Sequence, residues 1–99
     1  MRETFQPATD LRASGFRGTP YAGCTSNLPQ RLAQHHERLI PGFTSRYGVD
    51  RLVWFETYDR ILDAIAREKM LKKWRRDWKI RLIEEDNPNW LDLYGILNQ

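Results

Sequence analysis

Four side chains in this sequence belong to types that could carry chemistry: Tyr21, Arg31, His35 and Glu68. Arg31 and His35 are four residues apart in a segment with helical spacing, so they share one helix face. A guanidinium matches the geometry of a phosphate, and a histidine can exchange a proton near neutral pH. The same pair is also compatible with an ordinary exposed helix surface.

Glu68 interrupts the apolar face of a helix that is predicted to begin at Ile61. Its neighbours on that face are Ile61, Ala64, Ile65 and Leu71. A carboxylate beside a core-facing stripe requires a partner, because burying an unpaired charge is unfavourable. That partner is either a metal ion or a basic side chain. The helix pattern alone favours the second interpretation, in which Glu68 borders the stripe and pairs with Lys72 at i+4.

Tyr21 precedes Ala22-Gly23 at the end of a short predicted strand. In this position the phenol either faces a cleft or forms a half-buried aromatic contact, the commoner role of a strand tyrosine.

A basic segment lies between residues 67 and 81, where eight lysines and arginines accompany only Glu68 and Asp77. Its cations alternate with Trp74 and Trp78, a combination suited to a nucleic-acid backbone with some base stacking. The alternative is a solvated helix surface whose tryptophans belong to the core. The cations predicted to contact nucleic acid are Lys72, Lys73, Arg75, Arg76 and Lys79.

The 99 residues are enough for one domain with a modest core. A single cysteine, Cys24, excludes an internal disulfide and a cysteine-based zinc site, and it fits a reducing compartment. The first fourteen residues contain no apolar run, which predicts neither a signal peptide nor a membrane span. We therefore expect a cytoplasmic protein without a membrane. No glycine-rich phosphate loop or zinc motif is present, and no organic cofactor is expected.

The hydrophobic pattern predicts a weak strand near residues 19–24, a helix from Leu28 to Pro41-Gly42 and a clear strand at 51–58. Helices are predicted at about 61–74 and 75–85, and Asn87-Pro88-Asn89 ends the second of them. Pro7 and Asp10 disfavour a regular strand near the N-terminus. This order indicates an α+β architecture, with helices packed on a small antiparallel sheet.

The ordered set of segments resembles the GIY-YIG nuclease family, in particular its small stand-alone members, and also the nuclease domain of excision-repair enzymes. The resemblance covers about residues 13–95. It rests on these stretches: Gly18-Thr19-Pro20-Tyr21-Ala22-Gly23, residues 27–35, the strand at 52–56, residues 64–74 and residues 87–94.

The resemblance implies a three-stranded antiparallel sheet flanked by helices and a DNA endonuclease with one divalent metal ion, Mg²⁺ or Mn²⁺. Glu68 matches the metal-binding glutamate, Arg31 the arginine at the scissile phosphate and Tyr21 the tyrosine of the second signature triplet. His35 matches the histidine one helical turn after the arginine. A tyrosine assisted by His35 would accept the proton of the attacking water.

The sequence departs from the family in its first strand. By spacing, the first signature triplet falls on residues 8–11, where no tyrosine is present. Residues 1–12 are therefore interpreted as an atypical N-terminal segment and residues 13–95 as the nuclease-like domain. Three alternatives stay open: a nuclease, intact or impaired by the missing tyrosine, a non-catalytic nucleic-acid-binding module, and a protein-interaction or structural remnant.

Overall fold

The computed structural model describes residues 6–37 and 51–93. Their strands are β1 (Ala8–Ala13), β2 (Tyr21–Thr25) and β3 (Arg51–Thr57). Their helices are α1 (Leu28–Glu37), α2 (Ile61–Lys73) and α3 (Arg76–Asp86). The strands form one antiparallel sheet in the order β2-β1-β3, which confirms the predicted α+β class and three-stranded sheet. The predicted helix end at Pro41-Gly42 lies outside the described residues.

β1 is the central strand, although the sequence disfavoured a strand around Pro7 and Asp10. Pro7 lies one residue before β1, so its missing N–H is not required by the sheet, and its carbonyl accepts a hydrogen bond from Tyr58 N at 2.8 Å. Asp10 is fully buried in β1 beside two arginines. The strand crosses the boundary predicted between residues 12 and 13; the domain limits themselves stay a prediction.

The helix α1 begins where the sequence placed capping residues. The Asn27 side-chain oxygen accepts a hydrogen bond from Gln30 N at 3.2 Å, and the Asn27 carbonyl accepts one from Arg31 N at 3.1 Å. Pro29 occupies the first turn, where the absent N–H has no partner to lose. This start fixes the rotation of α1 and therefore the direction in which Arg31 points.

The principal core lies between the sheet and the two C-terminal helices. It contains Leu11 and Ala13 of β1, Val53 and Trp54 of β3, and Leu71, Ile83 and Trp90 from the C-terminal half. The Thr9 hydroxyl donates to the Ala64 carbonyl at 2.7 Å, which fixes α2 across the sheet. Leu52, Trp54 and Leu71 are buried, whereas Ile65 and Trp74 are only partly buried.

Asn87 joins the end of α3 to the sheet. Its side-chain amide donates to the carbonyls of Val53, at 3.1 Å, and Leu91, at 2.9 Å, while its oxygen accepts from Leu91 N at 3.0 Å. These bonds satisfy a buried polar side chain and direct Trp90 into the core. Asn87 therefore has a structural role at the place where the sequence predicted the end of the helix.

Leu71→Ala is predicted to lower the free energy of unfolding by about 2–5 kcal/mol, because it removes a fully buried side chain from between α2 and the sheet. Leu62→Ala is the matched control, since Leu62 lies in the same helix and is 63% exposed. It should change stability by no more than about 0.5 kcal/mol. Urea unfolding measures both, and equal effects would show that the orientation of α2 is wrong.

Candidate active site

Arg31 and Glu68 meet at Cys24, although they come from different helices. Arg31 Nη2 of α1 donates to the Cys24 carbonyl at 2.6 Å, and Cys24 Sγ lies 3.5 Å from Glu68 Oε1 of α2. Cys24 belongs to the edge strand β2, so both helices reach the same end of the sheet. The structure thus places a guanidinium and a carboxylate around one strand residue.

Glu68 is held by two neighbours at the border of the apolar face of α2. Its Oε2 lies 3.3 Å from Lys72 Nζ, and its side chain keeps 18% of its surface exposed. The i+4 pair expected from the sequence is therefore present. Burial raises the pKa of the Cys24 thiol, and the charge of Glu68 raises that pKa further. A protonated thiol can donate to the carboxylate, so Cys24 supports Glu68 rather than acting as a nucleophile.

Tyr21 begins β2 and is 54% exposed, so its phenol is accessible to solvent. It pairs directly with Arg12 of β1, and Gly23 pairs with Asp10. Because residues i and i+2 of a strand share a face, Tyr21 lies on the same side of the sheet as Asp10 and Arg12. Within residues 6–37 and 51–93, no hydrogen bond or ion pair joins Tyr21 to Arg31 or Glu68.

The predicted site residues therefore fall into two groups. Arg31 and Tyr21 belong to the face that carries Asp10 and α1, whereas Glu68 reaches Cys24 from the α2 side. His35 lies on α1 one turn after Arg31, and its side chain lies outside the described part of the chain. The edge strand β2 connects the groups, because Cys24 contacts Arg31 through its carbonyl and Glu68 through its side chain.

Asp10 is a member of this cluster that sequence reasoning did not identify. It is completely buried, and neither carboxylate oxygen has a hydrogen-bond partner. Its Oδ2 lies 3.6 Å from Arg31 Nη1, and its Oδ1 lies 3.8 Å from Arg12 Nε. Burial raises the pKa of Asp10, Arg31 and then Arg12 oppose that shift, and Glu68 adds to it. The signal in the sequence was an Asp-x-Arg pair opposite Tyr-x-Gly, which is informative only once the strand register is known.

Gly23 provides the space in which these groups meet. A Cβ at this position would lie 3.1 Å from Asp10 Oδ1, 3.5 Å from Arg12 Nη2 and 3.8 Å from Arg31 Nη1. Three charged side chains therefore converge on one point above the glycine backbone. Because a methyl group would approach the buried carboxylate too closely, a side chain at position 23 conflicts with Asp10.

The predicted nucleic-acid-binding cations lie on α2, α3 and the turn between them. Lys73 and Arg75 are exposed, and Arg75 stacks on Trp78 with its guanidinium carbon 5.1 Å from the ring centroid. Arg76 donates to the Arg17 carbonyl at 2.7 Å, Lys72 pairs with Glu68, and Lys79 is partly buried. Trp78 is 45% exposed, so the expectation that both tryptophans belong to the core is wrong for this one.

Asp10→Asn should stabilise the protein relative to the wild type more at pH 7 than at pH 4. An acid whose folded-state pKa is raised opposes folding when it is ionised, and this penalty develops as the pH rises from its ordinary pKa of 3.8 through the folded value. Asparagine does not titrate, so the difference in unfolding free energy between the two proteins should grow with pH. Urea unfolding at both pH values measures it; a difference that shrinks with rising pH would contradict the burial argument.

Comparisons with known proteins identify the family to which the chain is similar. The model of the GIY-YIG catalytic domain matches residues 16–81. A UPF0213 protein of Clostridium perfringens (strain 13 / Type A) is 35% identical over 63 residues, which cover 64% of this chain and 68% of that protein.

A UPF0213 protein of Pediococcus pentosaceus is 28% identical over 75 residues, which cover 76% of this chain and 79% of that protein. No solved structure matches the chain. No helix within residues 6–37 and 51–93 is long and apolar enough to cross a membrane. The domain match and the relatives confirm the resemblance seen in the sequence: the chain belongs to the GIY-YIG family.

Proposed function

We propose that this protein is a DNA endonuclease that hydrolyses phosphodiester bonds with one divalent metal ion, Mg²⁺ or Mn²⁺. The observation that supports this proposal is the meeting of Arg31 and Glu68 at Cys24. Hydrolysis requires a cation for the negative charge that develops on phosphorus-bound oxygens and a carboxylate for a metal ion. The fold supplies one of each at the edge of the sheet, and the GIY-YIG domain implies nucleic acid as the substrate.

Arg31 would bind a non-bridging phosphate oxygen. The Arg31 guanidinium already donates a hydrogen bond to the Cys24 carbonyl and lies close to Asp10. These contacts restrict its rotation before the substrate binds. Its side chain keeps 22% of its surface exposed, enough to present an N–H to a ligand. A donor fixed in advance stabilises the transition state without reorganising during the reaction.

Glu68 fits the metal that the family implies. Mg²⁺ is usually held by one or two carboxylates, while waters and substrate phosphates complete its coordination. Within the described residues no group of three or more histidines, cysteines or acids forms a metal cluster, which leaves a site of the single-carboxylate type. The ion would supply Lewis-acid stabilisation of the leaving oxygen. Lys72 Nζ contacts the second carboxylate oxygen of Glu68, Oε2, and would have to move away from it when an ion binds.

Tyr21 would accept the proton of the attacking water, assisted by His35. The exposure of Tyr21 suits this role because a base must reach a water molecule. His35 follows Arg31 by one turn of α1, so the two positions share one face of that helix. As the new P–O bond forms, the old one breaks, and the departing sugar oxygen takes up a proton.

The exposed cations after α2 would bind the flanking DNA. Lys73 and Arg75 are exposed beside Trp78, which presents an aromatic surface to an unpaired base. Trp74, Trp78, Arg81, Leu82 and Glu85 line an open groove of about 220 Å³ on this surface. Contacts with phosphates would position the substrate, and the groups around Cys24 would act on one bond.

A second candidate function, nucleic-acid binding without catalysis, is favoured by the absence of a tyrosine from β1. Ala8–Ala13 holds Asp10 and Leu11 where the family has its first signature triplet. Moreover, Glu68 already has a cation, Lys72, as its partner. The two functions differ in whether Glu68 is required for cleavage or only for the ion pair.

Glu68→Gln is predicted to reduce nicking of supercoiled plasmid DNA in Mg²⁺ by at least about 100-fold, because the amide cannot hold the ion. Asp63→Asn removes the same charge from the exposed first turn of α2 and should leave the rate unchanged. If the wild type nicks DNA and Glu68→Gln nicks it equally well, the metal site is misplaced. If the wild type never nicks but binds DNA, the second function is correct.

Replacing Lys73 and Arg75 together by glutamine should weaken the binding of a 20-base-pair duplex and flatten its salt dependence. Each lost phosphate contact lowers the slope of log K against log salt by about 0.9. Arg60→Gln, a change of an exposed arginine at the start of α2, is the control. Fluorescence anisotropy in EDTA gives the slopes, and equal slopes for the wild type and the double variant would exclude this surface from the interface.

A further inference from the structure

The cluster above Gly23 has hydrogen-bonding capacity that the described structure does not use. Both oxygens of Asp10 and the buried Nε of Arg12 lack hydrogen-bond partners. Arg12 and Arg31 approach the carboxylate only to 3.8 Å and 3.6 Å, longer than hydrogen bonds between charged groups. A network built only to neutralise a buried acid would close these bonds. Arg31 has a further partner in the Cys24 carbonyl, whereas Arg12 Nε has none, so the open geometry leaves room for another ligand.

The charges of the cluster identify the chemistry of that partner. Two guanidinium groups converge above Gly23 and repel each other, and one carboxylate offsets only one of them. The remaining charge is positive. Since the side chains of Arg12 and Arg31 are 26% and 22% exposed, both can present N–H groups outwards, whereas Asp10 is enclosed. Paired guanidinium forks at a partly buried position are suited to one phosphate group.

The strand register places Arg12 beside the proposed reaction. Arg12 pairs directly with Tyr21, and residues opposite each other in an antiparallel pair have Cβ atoms about 4.5–5.5 Å apart. Arg31, the proposed phosphate ligand, shares the carboxylate of Asp10 with Arg12. A phosphate held at Arg31 next to the phenol of Tyr21 would therefore lie within reach of both arginines.

We propose that Arg12 is a second phosphodiester-binding residue, and that Asp10 holds Arg12 and Arg31 side by side as a two-armed site for one phosphate of a nucleic-acid strand. The proposal rests on the proposed function, because it places the bound phosphate where hydrolysis would occur. The proposal gives β1 a role in substrate binding, although this strand lacks the tyrosine of the first signature triplet. Asp10 is a positioning residue in this arrangement, since its carboxylate is enclosed and faces cations.

Arg12→Gln should weaken binding of a 20-base-pair duplex several-fold in EDTA and lower its salt slope by about 0.9, the loss of one phosphate contact. Arg12→Lys keeps the charge but loses the fork, so it should retain the slope and part of the affinity. Arg60→Gln makes the same charge change at an exposed site immediately before α2 and should not alter the slope. A wild-type slope for Arg12→Gln, or equal losses for Arg12→Gln and Arg60→Gln, would overturn the proposal.

Arg12→Gln leaves Asp10 with one counter-ion fewer and can fail to fold. The double variant Asp10→Asn/Arg12→Gln removes both charges, and Asp10→Asn is then its reference. Because Arg12 stays charged and partly exposed when Asp10 is replaced, the slope should again fall by about 0.9 between these two proteins, and an unchanged slope would overturn the phosphate-binding role of Arg12.

Because the measurement needs neither metal nor Glu68, it is independent of catalysis. A protein that nicks DNA but shows no effect of Arg12 overturns this proposal alone, whereas one that loses slope at Arg12 but never nicks overturns only the nuclease function. Absence of any DNA binding by the wild type at low salt overturns the proposed phosphate site.

Discussion

The buried carboxylate of Asp10 is the constraint on which the rest of the site depends. An ion enclosed in a protein has a desolvation penalty of several kcal/mol, which the attraction of nearby cations can offset. Here those cations are Arg12, two residues away on the same strand, and Arg31, which arrives on α1. The start of α1 at Asn27, the absence of a side chain at Gly23 and the central position of β1 are all required for this meeting. The orientation of a candidate phosphate ligand is thus a consequence of how the sheet accommodates one acid.

The edge strand β2 links this polar cluster to Glu68 through one residue, Cys24, which uses its carbonyl on one side and its side chain on the other. Side chains alternate between the faces of a strand, while backbone carbonyls lie in the plane of the sheet and are free on the outer side of an edge strand. Cys24 can therefore offer its carbonyl to Arg31 and its side chain to Glu68 at the same time. A site at a sheet edge can in this way collect groups from helices that pack on opposite faces. The fold requires no long loop to bring residues 31 and 68 together.

The sequence was most informative where periodicity and local chemistry agree. The helices α2 and α3, the strand β3 and the capping residue Asn27 are all apparent from spacing and residue type. It failed at β1, because strand propensity depends on context, and two arginines lie close to the buried Asp10 here. It also missed Arg12, whose importance comes from lying opposite Tyr21. Register is set by long-range pairing, so no local window of the sequence contains this information.

The ion pair between Glu68 and Lys72 connects the two interpretations of Glu68 that the sequence left open. The pair joins residues one helical turn apart, and 58% of the Lys72 side chain is exposed. Because the lysine is already largely hydrated, releasing it from Glu68 has a small cost. In the proposed function a divalent ion would bring a larger charge to the same oxygen and replace the ammonium group, which would remain nearby as a cation for DNA. Under the proposed function, pairing with Lys72 and binding a metal ion would be successive states of the same side chain, so the presence of Lys72 is compatible with that proposal. The condition is that Glu68 keeps its position when the lysine leaves, and the contact with the protonated Cys24 thiol provides that support.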